Sequence, residues 1–87
     1  MVERTVIIKN ATGLDLAPAG ILCNVAMQFV SSVTFSYEGG SANAKSILSI
    51  LGSTLSCGDA ITLHCEGADE EEAIDTVARA IENGLEE

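Results

Sequence analysis

The 87 residues make one domain, spanning 1–87, with a modest core and no room for a dinucleotide site built from paired βαβ units. Thirteen acidic residues against four Lys and Arg leave a formal charge of −9, a surface that repels phosphate backbones and argues against nucleic-acid binding. With 47% of residues hydrophobic and only 3% aromatic, Ala, Val, Ile and Leu must fill the core, and disorder is not expected.

The chain opens on a strand, Val2 to Lys9. Val2, Val6 and Ile8 lie on one side and Glu3, Thr5 and Lys9 on the other, as a strand with one face on a core requires, and Ile7 is the exception. Asn10-Ala11-Thr12-Gly13 reads as a loop. From Leu16 to about Phe29 the period becomes helical, with Ala19, Leu22, Cys23, Ala26 and Phe29 on the apolar stripe. Pro18 falls in the first turn, where its missing N–H costs little, and Asp15 stands where an N-cap carboxylate accepts from free backbone N–H groups.

Ser31 to Tyr37 alternates again, Gly39-Gly40 is a hairpin turn signal, and a short polar strand from Ser41 to Ala44 returns. Ser46 caps a brief helix carrying Ile47, Leu48, Ile50 and Leu51, and Gly52 and Gly58 bracket its exit. The last strand, Ala60 to Glu66, turns Ile61, Leu63 and Cys65 inward and Thr62, His64 and Glu66 outward. Asp69 followed by Glu72 has the form of a capping box, with Glu70-Glu71-Glu72 in a first turn that the helix dipole favours. The closing helix carries Ala73, Ile74, Val77, Ala78, Ile81 and Leu85, and Gly84 loosens its end. The order βαββαβα predicts an α+β open-faced sandwich: a four-stranded, mainly antiparallel sheet with three helices on one face and the other face toward water.

Cys23, Cys57 and Cys65 are odd in number and lack C-x-x-C spacing, and His64 is the single histidine. The expectation is reduced, mostly buried thiols, with no disulfide framework, no metal and no cofactor. No apolar run approaches the roughly 20 residues of a membrane span, and none follows Met1-Val2-Glu3-Arg4 as in a secretory leader, so a soluble cytoplasmic protein is expected.

The strings Thr12-Gly13-Leu14 with Pro18-Ala19, Asn43-Ala44-Lys45-Ser46-Ile47, and Gly67 to Ala73 resemble three segments of HPr, the phosphocarrier of the bacterial phosphoenolpyruvate-dependent sugar phosphotransferase system. The resemblance covers essentially the whole chain. It implies an HPr-like fold, a first loop that takes a phosphoryl group from enzyme I, and a regulatory serine at Ser46. The first loop departs from the pattern: Asp15 stands where the family has its phosphoacceptor histidine and Ala17 where it has an arginine. Both the nucleophilic ring and the guanidinium that would hold phosphoryl oxygens are absent. One branch, Crh, also lacks the histidine and keeps the serine, and this chain is similar to that pattern. In that branch an HPr kinase/phosphorylase modifies the serine, and the product acts with a LacI-type regulator in carbon catabolite repression.

The resemblance implies docking through Ile47, Leu48 and Leu51, with Ala19 and Gly20 of the first helix. Ala17, Asn24, Met27 and Ser49 leave little positive charge nearby, so an enzyme I interaction is expected to be weak or absent. Three readings stay open: a regulatory module switched at Ser46, a phosphoryl carrier that uses Asp15, and an unregulated binding domain. Crh-like proteins dimerise, so a homodimer is a further expectation.

Overall fold

The computed structural model describes residues 1–86. Its strands are β1 (Val2–Ile7), β2 (Ser32–Tyr37), β3 (Gly40–Asn43) and β4 (Ala60–Glu66), and its helices are α1 (Leu16–Ala26), α2 (Ile47–Gly52) and α3 (Glu70–Glu82). The sheet runs in the order β1-β4-β2-β3, and every neighbouring pair is antiparallel. Register follows the pleat. Val6 faces Ile61, Phe35 lies between Leu63 and Ala42, and Val33 faces Cys65, all of them buried. The helices cover that face: α3 packs on β1, β4 and β2, α1 on α3 and α2, and α2 on β3. The result is the expected open-faced α+β sandwich.

Several boundaries and caps differ from expectation. α1 ends at Ala26 rather than near Phe29, because Met27 closes the helix and the Phe29 N–H turns back to the Ala26 carbonyl. β1 is regular only to Ile7, beyond which Ile8 is held by Asp59 and Gly58. Gly52 lies inside α2, and it is Thr54, at φ 51°, that takes the left-handed turn at its exit. Cys23 and Cys65 are buried, but Cys57 is exposed, with its thiol 3.5 Å from the Lys9 carbonyl. Burial pushes the Cys65 thiol up, and the Glu70 and Asp69 carboxylates add to the rise.

Gly84 does not loosen α3; it closes it. The Gly84 N–H donates to the Ile81 carbonyl at 3.0 Å and the Leu85 N–H to Ala80 at 3.0 Å, a Schellman motif with Gly84 at φ 86°. Leu85 is thereby folded into the core.

The capping box at the other end of α3 does not form. The Asp69 carboxylate turns away from its own helix and accepts from the Val30 N–H at 3.0 Å, the Ser31 N–H at 2.9 Å and the Ser31 hydroxyl at 2.5 Å. The Gly67 N–H donates instead to Glu70 Oε1 at 3.1 Å. The Ser31 hydroxyl bond, with help from the two backbone donors, lowers the Asp69 pKa. Gly67 is obligatory at this corner: at φ 152°, a Cβ would stand 2.6 Å from Ser31 Oγ and 2.7 Å from its Cα.

Three outcomes are expected in urea denaturation. Gly67→Ala should cost on the order of 1–3 kcal/mol or more from backbone strain and overlap, whereas Gly20→Ala, in α1 with no atom within 4 Å of the new Cβ, should gain up to about 1 kcal/mol. Because the Asp69 pKa is lowered on folding, its contribution is present above the unfolded value near 3.9 and is lost as pH falls through the folded value. Asp69→Asn should therefore lower the urea midpoint at neutral pH, and the gap from the wild type should close below about pH 4. A gap independent of pH would assign the loss to packing.

Candidate functional site

Asp15 occupies the N-cap position of α1 with an extended backbone, and its carbonyl accepts the Ala19 N–H at 2.9 Å. Its carboxylate makes no capping bond, contrary to expectation. An N-cap side chain accepts from the second or third helical N–H. The third helical residue here is Pro18, which has none. The loop before it is held by Gly13 at φ 69°, where a Cβ would lie 2.3 Å from the Leu55 carbonyl oxygen, and by the Asn10 amide, which donates to the Gly13 carbonyl.

Asp15 and Ala17 open onto a cleft of about 660 Å³ between this loop, the start of α1 and the end of α3. Lys9, Thr12, Glu82 and Glu86 also line it. One lysine therefore shares the cleft lining with three acidic residues, Asp15, Glu82 and Glu86. A phosphoryl dianion on Asp15 would meet the free Leu16 and Ala17 N–H groups of the helix start, but also two further negative side chains and no guanidinium. Sequence spacing gives no sign that Glu82 and Glu86 belong to this cleft. Their position becomes visible only when α3 is seen to end beside the first loop.

Ser46 lies on the other short helix. Its hydroxyl caps α2 by accepting the Ser49 N–H at 3.2 Å, and the Ser49 hydroxyl in turn accepts the Asn43 N–H at 2.9 Å. Asn43 Oδ1 accepts the Lys45 N–H at 2.9 Å, so the segment from Asn43 to Ser49 is tied in a local network. Lys45 is not turned to Ser46: its ammonium donates to the Phe29 carbonyl at 2.7 Å. Ser46 does not line the Asp15 cleft, so the two stations are separate.

The predicted docking residues divide. Leu48 is 82% exposed and Ile47 38% exposed, while Ile50 is buried. Leu51 is half-buried against the core, and Gly20 is partly open. Ala19 is fully buried and cannot offer its side chain to a partner, a correction to the expected set. Leu16 of α1, the C-cap Met27 and Val30 beyond it are exposed apolar positions instead, lying off the buried stripe that carries the helical period. Among the described residues no group of His, Cys, Asp and Glu could hold a metal ion, and no helix is long and apolar enough to cross a membrane.

Comparison with known proteins matches residues 2–83 to the family described as the PTS HPr component phosphorylation site. The HPr-like protein Crh of Halalkalibacterium halodurans is 38% identical over 82 residues, covering 94% of this chain and 98% of that protein. The crystal structure of HPr-C-His from Thermoanaerobacter tengcongensis superposes with a TM-score of 0.93 at 40% identity, covering 100% of this chain and 99% of that one. Bacillus subtilis Crh, described as a swapped, intertwined dimer, superposes with a TM-score of 0.78 at 32% identity, with both chains covered in full.

Proposed function

The chain belongs to the HPr family and is Crh-like, and on that premise we propose that it is a regulatory interaction module switched by phosphorylation of Ser46, not a carrier of phosphate on histidine. The observation that supports this reading most directly is the contrast between the two stations. At the first, the acceptor ring and the arginine are replaced by Asp15 and Ala17, and Glu82 and Glu86 line the same cleft. At the second, a serine hydroxyl stands at the start of α2 beside the exposed Ile47 and Leu48.

A phosphate on Ser46 would add a charge of about −1.5 to −2 and three strong acceptors. The first-turn N–H groups of α2, which lack partners within the helix, lie at hand to receive them. The exposed Ile47 and Leu48 would then adjoin a dianion, and a partner with an apolar surface rimmed by cations would select the modified form. An HPr kinase/phosphorylase is the modifying enzyme of this reading, a LacI-type regulator its reader, and carbon catabolite regulation in the cytoplasm its setting. Enzyme I, which needs an acceptor and a receptive field at the first loop, binds weakly or not at all. Use of Asp15 as an acceptor is disfavoured by the carboxylates around it. A homodimer formed by exchange of β1, an edge strand whose whole ladder lies with β4, is compatible with this role and does not involve α2.

Intact-mass measurement after incubation with ATP and an HPr kinase should show one phosphate on the wild type and none on Ser46→Ala. An unmodified wild type would leave Ser46 as a helix cap and sink the proposal. With enzyme I and phosphoenolpyruvate, the wild type should stay unmodified. The double variant Asp15→His with Ala17→Arg should gain phosphate, and adding Glu86→Gln should speed that gain. Hydroxylamine-sensitive phosphate on wild-type Asp15 would reverse the assignment of roles.

A further inference from the structure

The open face of the sheet carries a chemical arrangement that the proposed function does not use. Glu3 of β1 stands directly across from His64 of β4, and Glu3 Oε2 lies 2.8 Å from His64 Nδ1. On the opposite side of the ring, Ser36 Oγ of β2 lies 3.0 Å from His64 Nε2. A carboxylate only accepts, so Nδ1 carries the proton of the neutral ring. Nε2 is then left with its lone pair toward Ser36, and the serine hydroxyl donates to it. Carboxylate, imidazole and hydroxyl thus stand in the order and at the spacing by which a serine is activated as a nucleophile.

We propose that Ser36, His64 and Glu3 form a nucleophilic site that takes the acyl group of small activated esters. Ser36 Oγ attacks the ester carbonyl carbon as its proton passes to His64 Nε2. The new Oγ–C bond forms, and the ester C–O bond breaks with its electron pair leaving on the alcohol or phenol oxygen. The imidazolium, held by Glu3 at Nδ1, then returns its proton to that leaving group or to water. The site is half-open: the His64 side chain keeps 25% of its surface exposed and Glu3 54%, so a small ester reaches it without a cleft. β4 and β2 are inner strands of the sheet, and their backbone N–H groups are committed to the ladders. Thr62 and Ser41 stand opposite Ser36 in the two ladders, but the Thr62 hydroxyl is paired with Thr5 Oγ1 at 3.2 Å, which leaves the Ser41 hydroxyl as the neighbouring candidate donor for a developing oxyanion. With no backbone pair free for that task both acylation and hydrolysis are slow, but a phenolate leaving group departs more readily than the Ser36 alkoxide, so an activated ester acylates faster than the acyl group hydrolyses and the product is a stoichiometric acyl-Ser36.

The test is incubation of the full chain with p-nitrophenyl acetate, following p-nitrophenolate release and mapping acetyl groups by peptide mass spectrometry. Ser36 should be acetylated well ahead of Ser32 and Ser41, hydroxyls of the same sheet without an imidazole partner. A positioned general base contributes about 10²- to 10⁴-fold, so His64→Gln should slow Ser36 acetylation at least tenfold, with Glu3→Gln in between. Circular dichroism checks that each variant is folded, and Ser36→Ala should remove the phase of p-nitrophenolate release that accompanies acetylation. Labelling of Ser36 no faster than Ser41, or release that survives Ser36→Ala, would reduce the arrangement to a cross-strand hydrogen-bond stitch.

Discussion

The corner where β4 passes into α3 holds the two layers of this protein in register. One carboxylate, Asp69, gathers the donors of Val30 and Ser31 just ahead of β2, and Gly67 lets the chain run against Ser31 with no room for a side chain. The contact joins residues 38 positions apart. It fixes where β2 begins and how α3 lies across β1, β4 and β2, and the aliphatic core fills the space so defined. Charge-assisted bonds to a carboxylate are stronger than neutral ones, and here they form at a strand end, where backbone donors would otherwise face solvent.

The fold was legible in the sequence because its elements are locally consistent. The alternation of Val33, Phe35 and Tyr37, and that of Ile61, Leu63 and Cys65, marked the two inner strands, and the stripe from Ala73 to Ile81 marked α3. Local rules failed where a distant partner outbid them. Asp69 and Glu72 satisfy the capping-box pattern, yet the donors that Asp69 meets, Val30 and Ser31, lie just ahead of β2, which no reading of a seven-residue window contains. Asp15 is the opposite case. Part of its failure to cap is local, since Pro18 removes the third helical N–H, one of the two donors such a cap uses.

The candidate stations were legible to different degrees. Ser46 is a cap by local pattern, and it is one. The exposure of Leu48 beside the burial of Ile50 follows from which side of α2 meets β3, and that requires the tertiary packing. His64 could be placed on the outward face from alternation alone. Its partners Glu3 and Ser36 could not be named, because pairing β4 with both β1 and β2 is a property of strand order, and strand order is set by the whole sheet.

The Schellman closure of α3 bears on how such a chain diversifies. The residue that locks the helix end, Leu85, is buried, whereas Glu82 and Glu86 on either side of it are exposed at the mouth of the Asp15 cleft. Stability and electrostatic character are thus carried by different residues of one short terminal segment. Exchanging an acid there for a neutral or basic side chain changes the field at the start of α1 while leaving loop, helix and core untouched. The affinity of the first loop for anions is adjustable from the far end of the polypeptide, by substitutions that folding does not oppose.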